Sequence, residues 1–421
     1  MASADVLAIE RAADGLYDEL VAFTQALVRV PSVTGQEEAV QLVVARALRE
    51  LGLDVDVWEP DPAEIRPYHG LVAEEVDFHG RPNVVGTLRG TAGGRSLILC
   101  GHVDTVTPGD PARWAHPPYA AQVVDGNLYG RGAVDMKAGL AAALFALRAL
   151  ADAGVKPRGD VLVQSVIGEE NGGVGTLACL LRGYRADAAI IMEPTRLAVV
   201  PAQGGSAVFR LHLAGRTAHA CVRDEGVSAV EKFCYLLAGL REYERQRNAT
   251  LRHPLYESFA NKIPVEIGVV RGGDWASSVP DWLVAEGRAG LLPGEEIEWL
   301  HHDFERHVAE WANRDPWLRE HPPRVEWWSG QYAPSEVPVD LPLVKLVQES
   351  FRRVVGREPA VTGVTYGSDM RHYISIGRIP TVMFGPGDVR LAHYTDEYVP
   401  LAEVLAAVKV LALAISEWGA P

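Results

Sequence analysis

The sequence predicts an α/β fold: a mainly parallel sheet covered by helices, with an α+β ferredoxin-like unit inserted into it. Three observations predict it. Strand-length apolar runs at 96–99, 161–167 and 188–192 alternate with helical segments at 136–153 and 175–181, the βαβ rhythm of a parallel sheet. Residues 207–328 instead read β-α-β-β-α-β, the split order of a ferredoxin-like unit. Histidines and acids stand at or near the ends of apolar runs, where open α/β sheets place ligands.

The elements follow in order. Leu7, Ile9, Leu16, Leu20, Phe23 and Leu27 give 5–30 helical spacing, broken by Pro31-Ser32-Val33-Thr34-Gly35. A second helix is expected over 36–51 and a strand over 55–58. Residues 61–82, rich in Pro and His, read as a surface loop. Asn83-Val84-Val85-Gly86-Thr87-Leu88 and 96–99 read as paired strands around the Gly93-Gly94 turn. After Gln203-Gly204-Gly205 the character changes, and 207–213 alternates like a half-exposed strand. A helix over 227–246, strands at 265–270 and 282–292, an amphipathic helix over 295–313 and a strand at 324–328 complete the insert. The first unit resumes with a helix at 341–355, a strand at 381–384 and a closing helix at 401–418. The expected division is 1–205 with 325–421 for the main domain and 206–324 for the inserted one.

A chain of 421 residues, 48% hydrophobic and 23% charged, has room for two cores. Its formal net charge of −15 argues against nucleic acid and anionic membranes as partners. The apolar segment 140–150 is too short for a membrane span and carries Arg148. Met1-Ala2-Ser3-Ala4-Asp5 lacks the basic start and apolar core of a secretory leader, which implies a cytoplasmic protein. Cys100, Cys179, Cys221 and Cys234 form no Cys-x-x-Cys pair and read as buried free thiols of a reducing compartment.

Cys100-Gly101-His102-Val103-Asp104 closes one strand, Glu169-Glu170 another and Glu193 a third. Asp135 follows Gly130-Arg131-Gly132, and His393 follows the loop Gly385-Pro386-Gly387. Brought together, two histidines and three acids make an N/O ligand set suited to zinc or a similar divalent ion. Glu169 is then left over as a general base. Alone, each has an ordinary reading. His102 reads as a surface or core histidine, Asp135 as a helix N-cap and Glu169-Glu170 as an exposed acidic turn. Consecutive carboxylates at a strand end repel unless a cation lies between them. Their joint occurrence in this order shifts the balance toward the metal reading. No Gly-x-Ser-x-Gly elbow accompanies the histidines, which argues against a metal-independent hydrolase.

Together these stretches resemble the M20 family of metallopeptidases and deacylases, in particular the branch of acetylornithine deacetylase and succinyl-diaminopimelate desuccinylase. The matching motifs are Leu99-Cys100-Gly101-His102-Val103-Asp104, Leu128-Tyr129-Gly130-Arg131-Gly132-Ala133-Val134-Asp135-Met136-Lys137, Gly168-Glu169-Glu170, Met192-Glu193-Pro194-Thr195, Gly215-Arg216-Thr217-Ala218-His219 and Ala392-His393. The resemblance implies two metal ions, zinc first, with cobalt or manganese as alternatives. It implies Asp135 as the shared ligand, His102 and Glu193 completing one site, and Glu170 and His393 the other. Asp104 would hold the ring of His102. Glu169 would take a proton from the bridging water and deliver it to the leaving amine. The insert would be a lid and dimerisation module, so a homodimer is implied. Its His219 would reach the partner subunit's site and stabilise an oxyanion. On its own, His219 also reads as a solvated loop histidine beside Arg216.

The chain departs from that branch in places. Cys100 stands where Asn is usual, which leaves a thiol near the site and implies sensitivity to oxidation or thiol-binding metals. In the lid, Ser277 stands at an Asn position, and Gly290 at the position of an Arg that grips a substrate carboxylate. Arg288 lies two residues earlier, on the same strand face and about 6–7 Å away. Arg371 is another candidate carboxylate partner, and both also read as ordinary surface charge. The expected function is a di-zinc hydrolase removing an acyl group from an N-acyl amino acid or similar small amine, acetylornithine deacetylase-like. The alternatives are a deformylase of an N-formyl aminopyrimidine in thiamin salvage, and a dipeptidase or carboxypeptidase. A catalytically dead binding protein is the remote alternative. It is expected to lack a ligand or Glu169, and none is missing.

Overall fold

Strands made mostly of apolar residues can be buried on both faces, and two such strands lie in the middle of the main sheet. The computed structural model describes residues 3–72, 77–91 and 93–419. Its first strands are β1 (Asp54–Trp58), β2 (Asn83–Leu88), β3 (Leu97–His102), β4 (Gln122–Val124), β5 (Asn127–Tyr129), β6 (Val161–Val166), β7 (Ala188–Ile191) and β8 (Val199–Gln203). They continue with β9 (Gly205–Ala214), β10 (Val265–Gly272), β11 (Trp282–Leu291), β12 (Arg324–Tyr332), β13 (Ser335–Glu336), β14 (Val361–Val364), β15 (Thr381–Met383) and β16 (Tyr398–Pro400). The main sheet runs β1-β2-β6-β3-β7-β15-β8-β13, with β14 beside β8. Its centre, β6-β3-β7-β15, is parallel, and every residue of β3 and β6 is buried. β1 and β2 extend it in antiparallel fashion.

Helix Ala138–Asp152 lies on this sheet, and Leu401–Trp418 and Ser3–Gly15 pack against it. Its small residues allow close approach: Ala138, Gly139, Ala141, Ala142 and Ala143 are all buried. A second, antiparallel sheet runs β10-β11-β9-β12. Counted within its own segment, the strand order is 2-3-1-4, the order that β-α-β-β-α-β connectivity produces. Helices Ala229–Thr250 and Ile297–Ala312 pack on it, over a separate core that includes Phe209, Leu240, Leu300 and Phe304. A small third sheet joins β16, β5 and β4.

Some expectations are corrected. β2 and β3 do not pair, because β6 lies between them. The connection between them crosses the loop before β6 instead of closing a hairpin. Thr91 N–H donates to Pro157 O at 3.1 Å and Leu97 N–H to Asp160 O at 2.9 Å. A Cβ on Gly159 would lie 1.9 Å from Arg95 O, so glycine permits the crossing. The helix expected at 5–30 is two, Ser3–Gly15 and Tyr17–Arg29, with Leu16 at ψ 2° between them. Asp14 and Gly15, weak helix formers, precede the break. β8 contains Pro201, and β4, β5 and β16 have three residues each, too few to show a period. Cys100 and Cys179 are buried, but Cys221 and Cys234 are exposed, on a turn and a helix surface. Part of the loop at 61–82, and Met1-Ala2 of the leader reading, lie outside the described residues. Ile65, Val72 and Phe78 of that loop pack with Val174 and Leu177. Among the described residues no helix is long and apolar enough to cross a membrane.

Gly139 is the tightest contact between helix and sheet near the strand ends: a Cβ there would stand 2.1 Å from Met192 O. Gly139→Ala is expected to cost about 1–3 kcal/mol, as overpacking does. A fall in the urea midpoint checks this, and an unchanged midpoint refutes it.

Candidate metal centre

The parallel register sets three loop starts side by side. His102 ends β3, next to Val166 at the end of β6. Gly168, at φ +64°, turns the chain after β6 and directs Glu169-Glu170 back over the sheet end. Glu193 leaves β7 on the other side of β3. Asp135 enters from the turn Ala133–Lys137, ahead of the buried helix. His393 sits on a loop at φ +61°.

The side chains form two groups that share Asp135: His102, Asp135 and Glu193, then Asp135, Glu170 and His393. His102 Nε2 is 3.0 Å from Asp135 Oδ1 and 4.0 Å from Glu193 Oε1. His393 Nε2 is 2.9 Å from Glu170 Oε2 and 3.5 Å from Asp135 Oδ2. His102 Nδ1 lies 2.9 Å from the carbonyl oxygen of Asp104, which can only accept. A neutral His102 therefore carries its hydrogen on Nδ1 and turns the Nε2 lone pair toward the Asp135 carboxylate. Two acceptors at that distance need a proton or a cation between them, so this donor set fits a divalent metal.

Electrostatics agree. Burial raises the Glu169 carboxyl well above the usual range; His102 opposes the rise, and Glu193, Asp369 and Glu170 add to it. Burial, then Asp135, does the same to Glu193. Burial also pushes Asp135 upward, but without a metal a protonated His102, bonded to it and charged, outweighs burial and brings this carboxyl below its ordinary value, the place a cation takes when His102 is neutral. Carboxylates this close oppose one another's ionisation unless a cation compensates.

Asp104 does more than was expected of it. Its carboxylate is 3.6 Å from His102 Nδ1, and its own backbone carbonyl is the nearer partner of that ring. The carboxylate instead accepts the N–H groups of Glu169 and Glu170, each at 3.1 Å, and the Thr34 hydroxyl at 3.0 Å. Glu397 has no counterpart in the sequence reading. It is buried and paired with Arg131 at 2.6 Å, and it accepts the N–H groups of Val134 at 2.9 Å and Asp135 at 3.3 Å. Its sequence neighbours give no sign of burial, since only long-range contacts bury it.

Asp135, Glu169, Glu170, Glu193 and His393 line a cleft of about 220 Å³. Larger cavities lie elsewhere, but without this set of acids. Arg288 and Tyr366 line it too. Arg288 Nη2 makes a long bond, 3.4 Å, to Thr365 O, and its Nε is buried without a partner among the described residues. A Cβ at Gly290 would stand 3.0 Å from Ile263 Cα, so a side chain at that position requires the neighbouring backbone to give by a few tenths of an ångström. Arg371 is not part of the cleft lining. It is buried, donates to the Gly172 carbonyl at 2.6 Å and lies over the Tyr332 ring at 4.2 Å. It braces the loop after Glu170, which corrects its reading as surface charge. His219 is exposed, and its Nδ1 accepts the Cys221 N–H at 3.1 Å. It lies outside the cleft lining of its own chain. Cys100 is buried, and burial pushes its thiol up to about 12. Thiol sensitivity at that position therefore does not follow.

A sheet of this topology with two ligand groups at its strand ends belongs to a metal-dependent hydrolase of amide bonds. The chain is a member of Peptidase family M20/M25/M40, whose sequence pattern matches residues 98–417. It is 32% identical over 428 residues to the N-formyl-4-amino-5-aminomethyl-2-methylpyrimidine deformylase of Halalkalibacterium halodurans, covering 95% of this chain and 94% of that one. It is 32% identical over 405 residues to the protein of the same name in Bacillus subtilis, covering 90% and 89%. Among solved structures it is similar to the dipeptidase Dug1p of Saccharomyces cerevisiae, with a TM-score of 0.78, 13% identity and 99% of each chain covered.

Proposed function

We propose that the chain removes a small acyl group from an amine, using two divalent cations held by His102, Asp135 and Glu193 and by Asp135, Glu170 and His393. The observation that carries this reading is Asp135, which turns Oδ1 toward His102 and Oδ2 toward His393. Zinc suits the N/O donors best, with cobalt or manganese as alternatives. When bound, the cations supply Lewis-acid polarisation of the amide carbonyl and acidify a water. Glu169 takes the proton released on attack and returns it to the leaving nitrogen. Asp104 keeps Glu169 and Glu170 in place through their backbone N–H groups. The inserted unit, from β9 to the end of β12 at Tyr332, forms a lid and dimerisation domain on the main domain, so the expected boundary at 324 moves to the end of that strand. His219, exposed and outside its own cleft, acts in the partner's site as an oxyanion donor.

For the substrate, an N-formyl aminopyrimidine comes first. Two relatives at 32% identity carry that activity in their names and align over nearly the whole chain. An N-acyl amino acid is the second reading, and Arg288 favours it. An arginine with a buried, unpartnered nitrogen in a cleft suits a carboxylate.

Zinc- or cobalt-loaded protein is expected to hydrolyse at least one of a panel of formyl-, acetyl- and succinyl-amines, and a chelator to abolish this until metal is restored. No hydrolysis by metal-replete protein sinks the reading. Glu169→Gln should keep both metals and lose about 10²–10⁴-fold in kcat; parent turnover in that variant removes Glu169 from its role. Arg288→Met should raise KM at least tenfold for N-acetyl amino acids and spare a neutral formyl-aminopyrimidine; equal effects on both remove the carboxylate role. His219→Ala and Glu169→Ala chains, each inactive alone, should regain activity when mixed, and no recovery excludes action across a dimer.

A further inference from the structure

Two observations away from the metal ligands meet at Tyr366. Its hydroxyl is buried and has no hydrogen-bond partner among the described residues. Natural folds seldom leave such a group unmet, so the site is open to a partner from outside the chain. The residue also belongs to two cavities. It lines the metal cleft of about 220 Å³ and a neighbouring cavity of about 520 Å³. Val389 is the other side chain that lines both. Behind this wall the second cavity is partly apolar, with Phe259, Val364, Val200 and Ala198 in its lining.

Arg288 locates the wall relative to the substrate. Its Nη2 reaches Thr365 O, the residue before Tyr366, at 3.4 Å. Both side chains line the same small cleft, as donors among Asp135, Glu169, Glu170, Glu193 and His393. If Arg288 meets the amine portion of the substrate, Tyr366 meets the same portion.

We propose that Tyr366 is a specificity-determining residue that ends the pocket for the leaving amine: its ring closes the metal cleft from the second cavity, and its hydroxyl donates to an acceptor atom of that amine portion. The inference rests on the amide-hydrolase reading above and adds a length limit to it. Amines with short or compact bodies fit, and linear extensions meet the ring. Removing the ring joins the two spaces and admits a longer amine.

Two variants separate ring from hydroxyl. Tyr366→Phe keeps the wall; KM for N-formyl-β-alanine, whose amine portion carries an acceptor, is expected to rise roughly 3- to 10-fold, the equivalent of one hydrogen bond, with kcat and length preference unchanged. Tyr366→Ala removes the wall. The kcat/KM ratio for N-formylhexylamine over N-formylethylamine is expected to rise at least tenfold, with zinc content and melting temperature near the parent's. Calorimetry on zinc-loaded protein gives an arm independent of turnover: binding of 6-aminohexanoate relative to β-alanine should strengthen in Tyr366→Ala. An unchanged length preference in both arms, or a parent KM in a folded Tyr366→Phe, overturns the proposal. If the parent hydrolyses no N-acyl amine but the binding preference shifts, the hydrolase reading fails and the wall stands. If hydrolysis is found and neither preference shifts, the wall fails alone.

Discussion

Asp135 turns one carboxylate oxygen toward His102 at 3.0 Å and the other toward His393 at 3.5 Å, and much of the surrounding structure maintains that position. A carboxylate between two imidazoles, with Glu169, Glu170 and Glu193 in the same small cleft, needs a rigid frame and compensating cations. The frame is visible. Glu397 receives the N–H groups of Val134 and Asp135 and is itself neutralised by Arg131, all under cover. Removing one member of such a buried pair commonly costs about 3–5 kcal/mol, because the other charge is left uncompensated. The same Asp135 turn leads into the helix Ala138–Asp152, whose Gly139 lies against Met192, the residue before Glu193. Asp135 and Glu193, both proposed as ligands of one metal, are thus also tied to each other through packing.

Asp104 supplies the corresponding tie on the other side. Its carboxylate accepts from both Glu169 and Glu170, while its carbonyl orients His102. One residue thereby links the ends of β3 and β6. A shift of that residue would move a histidine, a ligand-type carboxylate and the proposed base together. This explains why an acid two positions from His102 matters even though its carboxylate is not the nearest partner of the ring.

What was legible in the sequence follows from how local each signal is. His102, Glu169-Glu170 and Glu193 end apolar runs, so their place at the strand ends can be read one strand at a time. The repeated βαβ rhythm and the β-α-β-β-α-β order are local too, and both sheets carry them. Glu397 and Tyr366 are different. Glu397 owes its burial to Arg131, 266 residues away, and Tyr366 becomes a wall only where two cavities meet. No window of sequence contains those facts. The pairing of β2 with β3 was misread for a related reason. Gly93-Gly94 is also what a hairpin needs, and only the contacts of this connection with residues 157–160 show that it passes over β6.

The same contrast separates reaction from substrate. Metal ligands are constrained by valence and distance, so their residue types survive as a pattern. Substrate contacts are constrained only by shape and charge, and strand periodicity lets them slide. Arg288 and Gly290 lie on one face of β11, and a side chain at 290 would press on Ile263 at 3.0 Å. The guanidinium two residues earlier lines the cleft. Beside it, a tyrosine ring stands between that cleft and a larger cavity. The hydrolase chemistry of the family depends on the acids and histidines at the strand ends, whereas in the readings proposed above the choice of leaving amine falls to Arg288 and Tyr366.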